Sequence, residues 1–407
     1  MIPEVPNPVQ SKPNFERRRS FAVGAQKEGF RSGTKESYFN QNVISLRPGA
    51  DIQQAIDTVY NIGGGKVVLL SGTHERTSDI NVLPNVVVEG ETSETTVDFM
   101  NTDSGFIIAG TPHSYTGTIA VTNGSKTVTG TTTSFDGDLI GLGVFIDGSW
   151  NYVVSVESAT SLTLESDYSG PTQSGLTLVV ADVNNYSTVR KLIITNSNTA
   201  GIDASYCYSP LLFEIYIYNS TIGINCNYVE FCFIDNMNVF DSGIGCVFTE
   251  TYSCSVRTFL IANTTGDGIQ WTNAGDSTLL DFGIVGCSGN GLTLTNCDAL
   301  TCVSFTVADN TGHGIELIST SDDNQFTGGK VNRNGGDGMK LTATSDRNGI
   351  YGVTCDTNTG YGINIAAASC DNNMVSSTAL TSNIAGQLNN AGTGSKGRGI
   401  IGAADFG

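Results

Sequence analysis

The chain is 407 residues long, with 49 Gly, 9 Pro, 39% hydrophobic and 14% charged residues. A disordered acidic chain would be rich in charge and poor in apolar residues, so wholesale disorder is excluded, and without a three-residue Gly period so is collagen. Charge is uneven: residues 1–50 hold eight basic and four acidic residues and the remainder 12 basic and 35 acidic, so the body repels phosphate backbones and no nucleic-acid binding is expected of it.

Residues 1–49 read as an extended basic docking arm. Pro3, Pro6, Pro8 and Pro13 are followed by Arg17, Arg18 and Arg19, a composition that buries too little apolar surface to order itself. The arm is expected to order on a larger assembly, with the three arginines as its binding residues. The opening MIPEVPNPVQSKPNFERRRS has no apolar core, so no signal peptide is expected. No run of 18 apolar residues occurs, so no membrane insertion is expected either.

Residues 50–113 read as a capping helix and the first strands. Ile52, Ala55, Ile56 and Val59 have helical spacing, Gly63 to Gly65 stop the helix, and KVVLLSGTH and NVVVEG follow as strands. The glycine run is not a phosphate loop, because Val67 stands where Ser or Thr must ligate magnesium. GTGSKGRG at 392–399 fails the same spacing. Residues 114–183 change texture: short alternating strands are separated by Asn123-Gly124 and Asp147-Gly148, both hairpin signals. They read as a small antiparallel β module inserted into the body.

From about residue 184 to 388 a motif recurs on Gly201, Gly223, Gly245, Gly268, Gly291, Gly314, Gly338, Gly362 and Gly386, at intervals of 22 to 24 residues. A period of that size marks a solenoid. One residue after each glycine comes an apolar position (Ile202, Ile224, Cys246, Ile269, Leu292, Ile315, Met339, Ile363), then a mostly polar one, then another apolar one. In–out–in alternation is strand periodicity. Nine residues before the glycine, Phe259, Phe282 and Phe305 predict an aromatic ladder. Four before it, Asn219, Asp241, Asn310, Asn334 and Asn358 predict one corner column, since Asn tolerates left-handed backbone. Residues 389–407 read as a Gly-rich tail. The ten cysteines show no C-x-x-C, and His74, His113 and His313 form no ligand cluster with them, so neither a metal nor a cofactor is expected. Reduced thiols packed as small hydrophobes are expected instead, with Cys232 and Cys254 as neighbours.

These repeats resemble the right-handed parallel β-helix of the pectate-lyase-like superfamily, and DIQQAIDTVYNIGGGKVVLLSGTHE looks like that superfamily's N-terminal entry segment. The resemblance implies an all-β solenoid with a short capping helix. TGTIAVTNGSKTVTGTTTSF and VFIDGSWNYVVSVESATSLTLESDYSG are similar to small β domains of bacteriophage tail and other virion proteins. This implies a virion structural subunit (spike, fibre or head decoration) made in the host cytoplasm. It would be homotrimeric by analogy, with its arm on capsid or tail protein and its β-helix offered to a host-surface glycan or receptor. The alternative it leaves open is a polysaccharide depolymerase, hydrolase or lyase.

Chemistry is sparse in the sequence. Counting back from the repeat glycine puts Asp235 and Asp281 in one outward column with Thr258 between them, about 9–10 Å apart at the backbone, the upper limit for an inverting carboxylate pair. His313 falls in a corner column with Asp267, Asn290, Asp337 and Tyr361, which is expected to be exposed and shallow. Glu316 and Lys340 are adjacent outward and read as a surface ion pair. Tyr206, Tyr208 and Tyr218 are offered equally to sugar rings or to a subunit interface.

Overall fold

The computed structural model describes residues 42–405, so Arg17, Arg18 and Arg19 lie outside the described residues. The helix forms over Ile52–Asn61 and buries Ile52, Ala55, Ile56 and Val59, with Asp51 as N-cap accepting from the Gln54 N–H. It lies against the first coil, closing that end of the core.

Beyond it the chain winds as a parallel solenoid whose coils contribute to two long sheets. Sheet A carries strands such as Leu211–Tyr218, Phe233–Phe240, Ser255–Ala262, Thr278–Val285 and Thr301–Ala308, each parallel to the one a coil earlier. Sheet B carries Ile222–Glu230, Ile244–Tyr252, Ile269–Gly275 and Leu292–Asp298 in the same way. The expected apolar column is in register: Ile224, Cys246, Ile269, Leu292, Ile315, Met339 and Ile363 follow one another through sheet B.

The coils turn on single left-handed residues. One bends each sheet A strand at Lys191, Glu214, Asn236, Thr258, Asp281 and Ser304, with φ between 51° and 57°. Another ends those strands at Asn219, Asp241, Asn263, Asp309 and Arg333, and two more columns bracket the end of sheet B, as at Glu250 and Ser253. Single left-handed positions let a strand change direction without a loop.

The interior is laddered. Phe259, Phe282 and Phe305 stack with ring centroids 5.4 and 5.3 Å apart. Trp271 stacks on Phe248 at 4.5 Å, and its indole N–H donates to Thr251 Oγ1 at 2.7 Å. All ten cysteines are buried and free, and burial raises the Cys254 thiol well above its ordinary range, with the Cys232 thiol hydrogen-bonded beside it.

Asn310, Asn334 and Asn358 are not the corner residues that their spacing suggested. They lie inside, 2%, 1% and 0% exposed, where each side-chain amide donates to the carbonyl oxygen of the next at 3.0 Å. The corner itself is one residue earlier, at Asp309 and Arg333. The turn before Gly268 has gained Asp267 relative to the turn before Gly245, so counting back from the glycine slips by one. A second buried ladder, Asn324 to Asn348 to Asn373, runs along the opposite side.

The inserted module is an eight-stranded antiparallel sheet running from Thr111–His113 to Val179–Asp182, so it begins slightly before residue 114. Two other boundaries also move. Val43–Leu46, within the span read as arm, pairs with Gly65–Leu69, and Lys396–Arg398, within the span read as tail, pairs with Met374–Ser376. In both cases the short strand satisfies backbone groups at a sheet edge.

Candidate functional site

The outward side of sheet A holds a shallow concavity. The short turn at Glu91, Thr92 and Ser93 rises beside the strand bends and encloses, with Lys191, Glu214, Tyr216 and Asn236, a cleft of about 330 Å³. Its wall is drawn in by Gly90, where a Cβ would come within 2.0 Å of the Lys191 carbonyl oxygen. Lys191, Glu214 and Asn236 share the bend column, so their left-handed backbone carries three successive side chains to the lip.

Beneath the cleft lies a compact ion cluster. Glu89 accepts from Lys66 at 2.9 Å, from Arg190 at 2.6 Å and from Lys191 at 3.3 Å. Burial pushes the Glu89 carboxyl up, but the bonds from Lys66 and Arg190 outweigh it and hold the group down at about 2. Lys191 is therefore tied back, while one Glu91 oxygen takes both the N–H and the hydroxyl of Ser71 at 3.1 Å. The remaining lining offers a carboxylate (Glu214), an amide (Asn236), hydroxyls and an aromatic ring. Such a surface can accept and donate several hydrogen bonds at once and pack an apolar face.

The carboxylates singled out in the sequence are not brought together. Asp235 stands opposite Arg257, not Thr258, and pairs with it at 3.3 Å. Asp281 belongs to the bend column with Asn236 and Thr258. The same extra turn residue that displaced the asparagines separates this pair into different columns, so they do not share the one outward column that their spacing predicted.

Nor are the tyrosines alike. Tyr206 stacks on Tyr228 at 5.2 Å, and Tyr208 is 2% exposed. Both pack with Phe145, Trp150 and Tyr152 of the inserted module. Glu230 fastens the same seam, accepting from the Trp150 N–H at 2.8 Å and the Ser149 hydroxyl at 3.1 Å. Tyr208 is thus covered within the chain, which corrects the expectation that it meets a glycan or another subunit. Tyr218 remains on the outer face, stacked on Phe240 at 5.2 Å.

His313 is also deeper than its corner position implied. Asp267, Asn290, His313 and Asp337 each accept the backbone N–H of the next member, ending at Tyr361, over 2.6–2.8 Å. Asp337 is only 6% exposed. Burial and the nearby Lys340 hold His313 below its ordinary value, and its Nδ1 is occupied as an acceptor. The column caps turns and leaves no free base. Lys340 and Glu316 form the expected ion pair, 2.9 Å apart.

Among the described residues no cluster of three or more His, Cys, Asp and Glu side chains is arranged to hold a metal ion, and no helix is long and apolar enough to cross a membrane.

A family profile described as the right-handed beta helix region matches residues 172–331 and 267–397, together more than half of the chain. The chain belongs to the right-handed β-helix family. Comparison with curated proteins gives no match. Among solved structures, this β-helix is similar to the A-module of mannuronan C-5 epimerase AlgE6 from Azotobacter vinelandii. The TM-score is 0.59 at 12% identity, over 88% of this chain and 97% of that one. The Gp54 tailspike of Acinetobacter baumannii bacteriophage AP22, solved with a capsular saccharide, scores 0.44 at 14% identity over 90% and 69%. ORF18 of Geobacillus virus E2 scores 0.46 at 12% identity over 92% and 64%. At these identities the likeness is one of fold.

Proposed function

We propose that this β-helix is a virion structural subunit that binds a host-surface glycan on the outer face of sheet A. The observation that carries the glycan reading is the cleft at Glu91, Lys191, Glu214, Tyr216 and Asn236. It is shallow and open, with carboxylate, amide and hydroxyl groups beside one aromatic ring, a chemistry suited to polyhydroxylated ligands. The virion context is supported by the basic, proline-containing arm on an acidic body and by the inserted module's resemblance to phage tail domains. In that setting the arm docks on capsid or tail protein and the subunit assembles as a homotrimer.

A second reading has its own observation. Glu91 and Glu214 share the cleft, and paired carboxylates are what most glycoside hydrolases require. Binding of the full chain to an array of bacterial capsular polysaccharides and lipopolysaccharide O-chains tests the first reading. Retention of specific polysaccharides, lost in Tyr216→Ala and Glu214→Gln, is expected. No retention on any polysaccharide refutes it. Release of reducing ends from a bound polysaccharide, abolished in Glu214→Gln, would replace binding by hydrolysis.

A further inference from the structure

We infer that sheet A carries a sugar-ring subsite beside Phe240, and that the cleft's ligand is a neutral oligosaccharide long enough to reach it. This inference rests on the glycan reading above. Beyond the bend, the outward positions of successive strands form two columns. One runs Tyr216, which already lines the cleft, then Asn238 and Leu260. The other runs Tyr218, Phe240, Ala262, Val285. No charged residue occurs in either column over these coils, whereas the bend column on one side carries Lys191, Glu214 and Asp281. An uncharged and largely apolar strip, with Asn238 as its one amide, therefore continues from the cleft between polar margins.

The strip is interrupted at one rung. Tyr218 and Phe240 stack with centroids 5.2 Å apart and planes 24° from parallel. The next residue in the column is Ala262, so the ring series stops there and the far face of Phe240 has no aromatic neighbour in its column. Val285 follows one coil later, about 9.6 Å from Phe240 at two strand spacings. A six-membered ring lying over Ala262 would sit about 4.8 Å from Phe240, close to the Tyr218–Phe240 separation. A pyranose ring presenting a flat C–H face fits as the missing rung.

Size and charge narrow the occupant. The strip covers four strands and about four residues along each, roughly 19 by 13 Å or about 250 Å². A stable protein interface needs about 800 Å² from each partner, so the strip alone does not hold a second copy, while a few sugar rings match it. Its polar end supplies the Glu91 and Glu214 carboxylates, and its cation, Lys191, is engaged by Glu89. That combination accepts hydrogen bonds from hydroxyls and disfavours uronic or sialic acid carboxylates. The ligand class is a neutral hexopyranose chain with equatorial substituents, which leave the C–H faces flat.

The test is calorimetric titration of the full chain with cellobiose, cellohexaose, fully N-acetylated chitohexaose and hexaguluronate. The neutral hexamers should bind about tenfold more tightly than the dimer, as one added stacking contact implies, and the hexaguluronate should not bind. Ala262→Phe fills the rung. It should remove the gain with length and leave dimer binding intact, whereas Tyr216→Ala should weaken both. An unchanged melting temperature or a higher one in Ala262→Phe shows that the fold is retained. If Ala262→Phe binds the hexamers as the wild type does, the subsite is refuted and the cleft reading survives. If the wild type retains array polysaccharides but neither neutral hexamer, the ligand class is refuted. If it binds no glycan at all, both readings fall together. A change of oligomeric mass on Ala262→Phe would assign the strip to contact between copies and overturn the subsite.

Discussion

Replacing Asn334 by Asp changes one atom in a buried ladder, and its effect can be worked out bond by bond. The Asn334 carbonyl oxygen accepts the N–H and the side-chain amide of Asn310, at 3.2 and 3.0 Å. Its own amide donates to the Val307 carbonyl at 3.2 Å and to Asn358 Oδ1 at 3.0 Å. Aspartate keeps the two accepted bonds and converts the two donated ones into oxygen–oxygen contacts. An unsatisfied buried polar group costs about 1–3 kcal/mol, so two give about 2–6 kcal/mol before any charge is buried. We expect a loss of about 4 kcal/mol at pH 7. Hydrogen exchange is the suitable assay, since stacked coils open locally and two-state unfolding is not assured. Amides of residues 307–358 should lose protection while the inserted module keeps its own. At a pH low enough to protonate the new carboxyl, one donor returns and part of the loss should be recovered. A loss below about 1 kcal/mol, or one indifferent to pH, would refute the view that amide pairing holds these coils together.

Three further outcomes follow from the same geometry. Glu230→Ala removes the acceptor for Trp150 and Ser149, so limited proteolysis should cut in or beside residues 111–182 at least tenfold faster, with the β-helix fragment resisting. Because His313 is held below its ordinary value of about 6.5, the unfolded chain binds its proton first. The stability it supports is complete above about pH 6.5 and is lost as pH falls through the lower folded value. His313→Asn, which keeps a cap of the kind Asn290 provides, should flatten the melting temperature between pH 7 and 5. The ten buried thiols should resist alkylation in the native protein and all react once it is unfolded in urea; rapid labelling of any in the native state would contradict their burial.

Much of the architecture was legible because it is periodic. The glycine spacing located the coils, Phe259, Phe282 and Phe305 announced their ladder, and Ile52, Ala55, Ile56 and Val59 announced the cap. What failed was single-residue register. The added Asp267 moved Asp235 out of line with Asp281 and moved Asn310 from corner to core, a slip that reverses which way a side chain points. The cleft was not legible at all. It joins Glu91 to Glu214 and Asn236 across separate coils, and no local pattern marks a wall built by a turn that far away in sequence. Tyr208 was misjudged for a related reason: exposure on an isolated coil says nothing about the module that folds down over it.

The left-handed corners carry a consequence for engineering. Thirty-six non-glycine residues among those described have positive φ. Each such residue that lacks the tolerance of Asn or Asp is held at a cost of roughly 1–2 kcal/mol. Thr258, Ala343 and Thr357 are of this kind. The protein therefore tolerates a dispersed strain that its packed interior offsets, and these surface positions form a reserve from which a more heat-resistant rod could be made. Substituting them with Asn or Gly would leave the core ladders untouched.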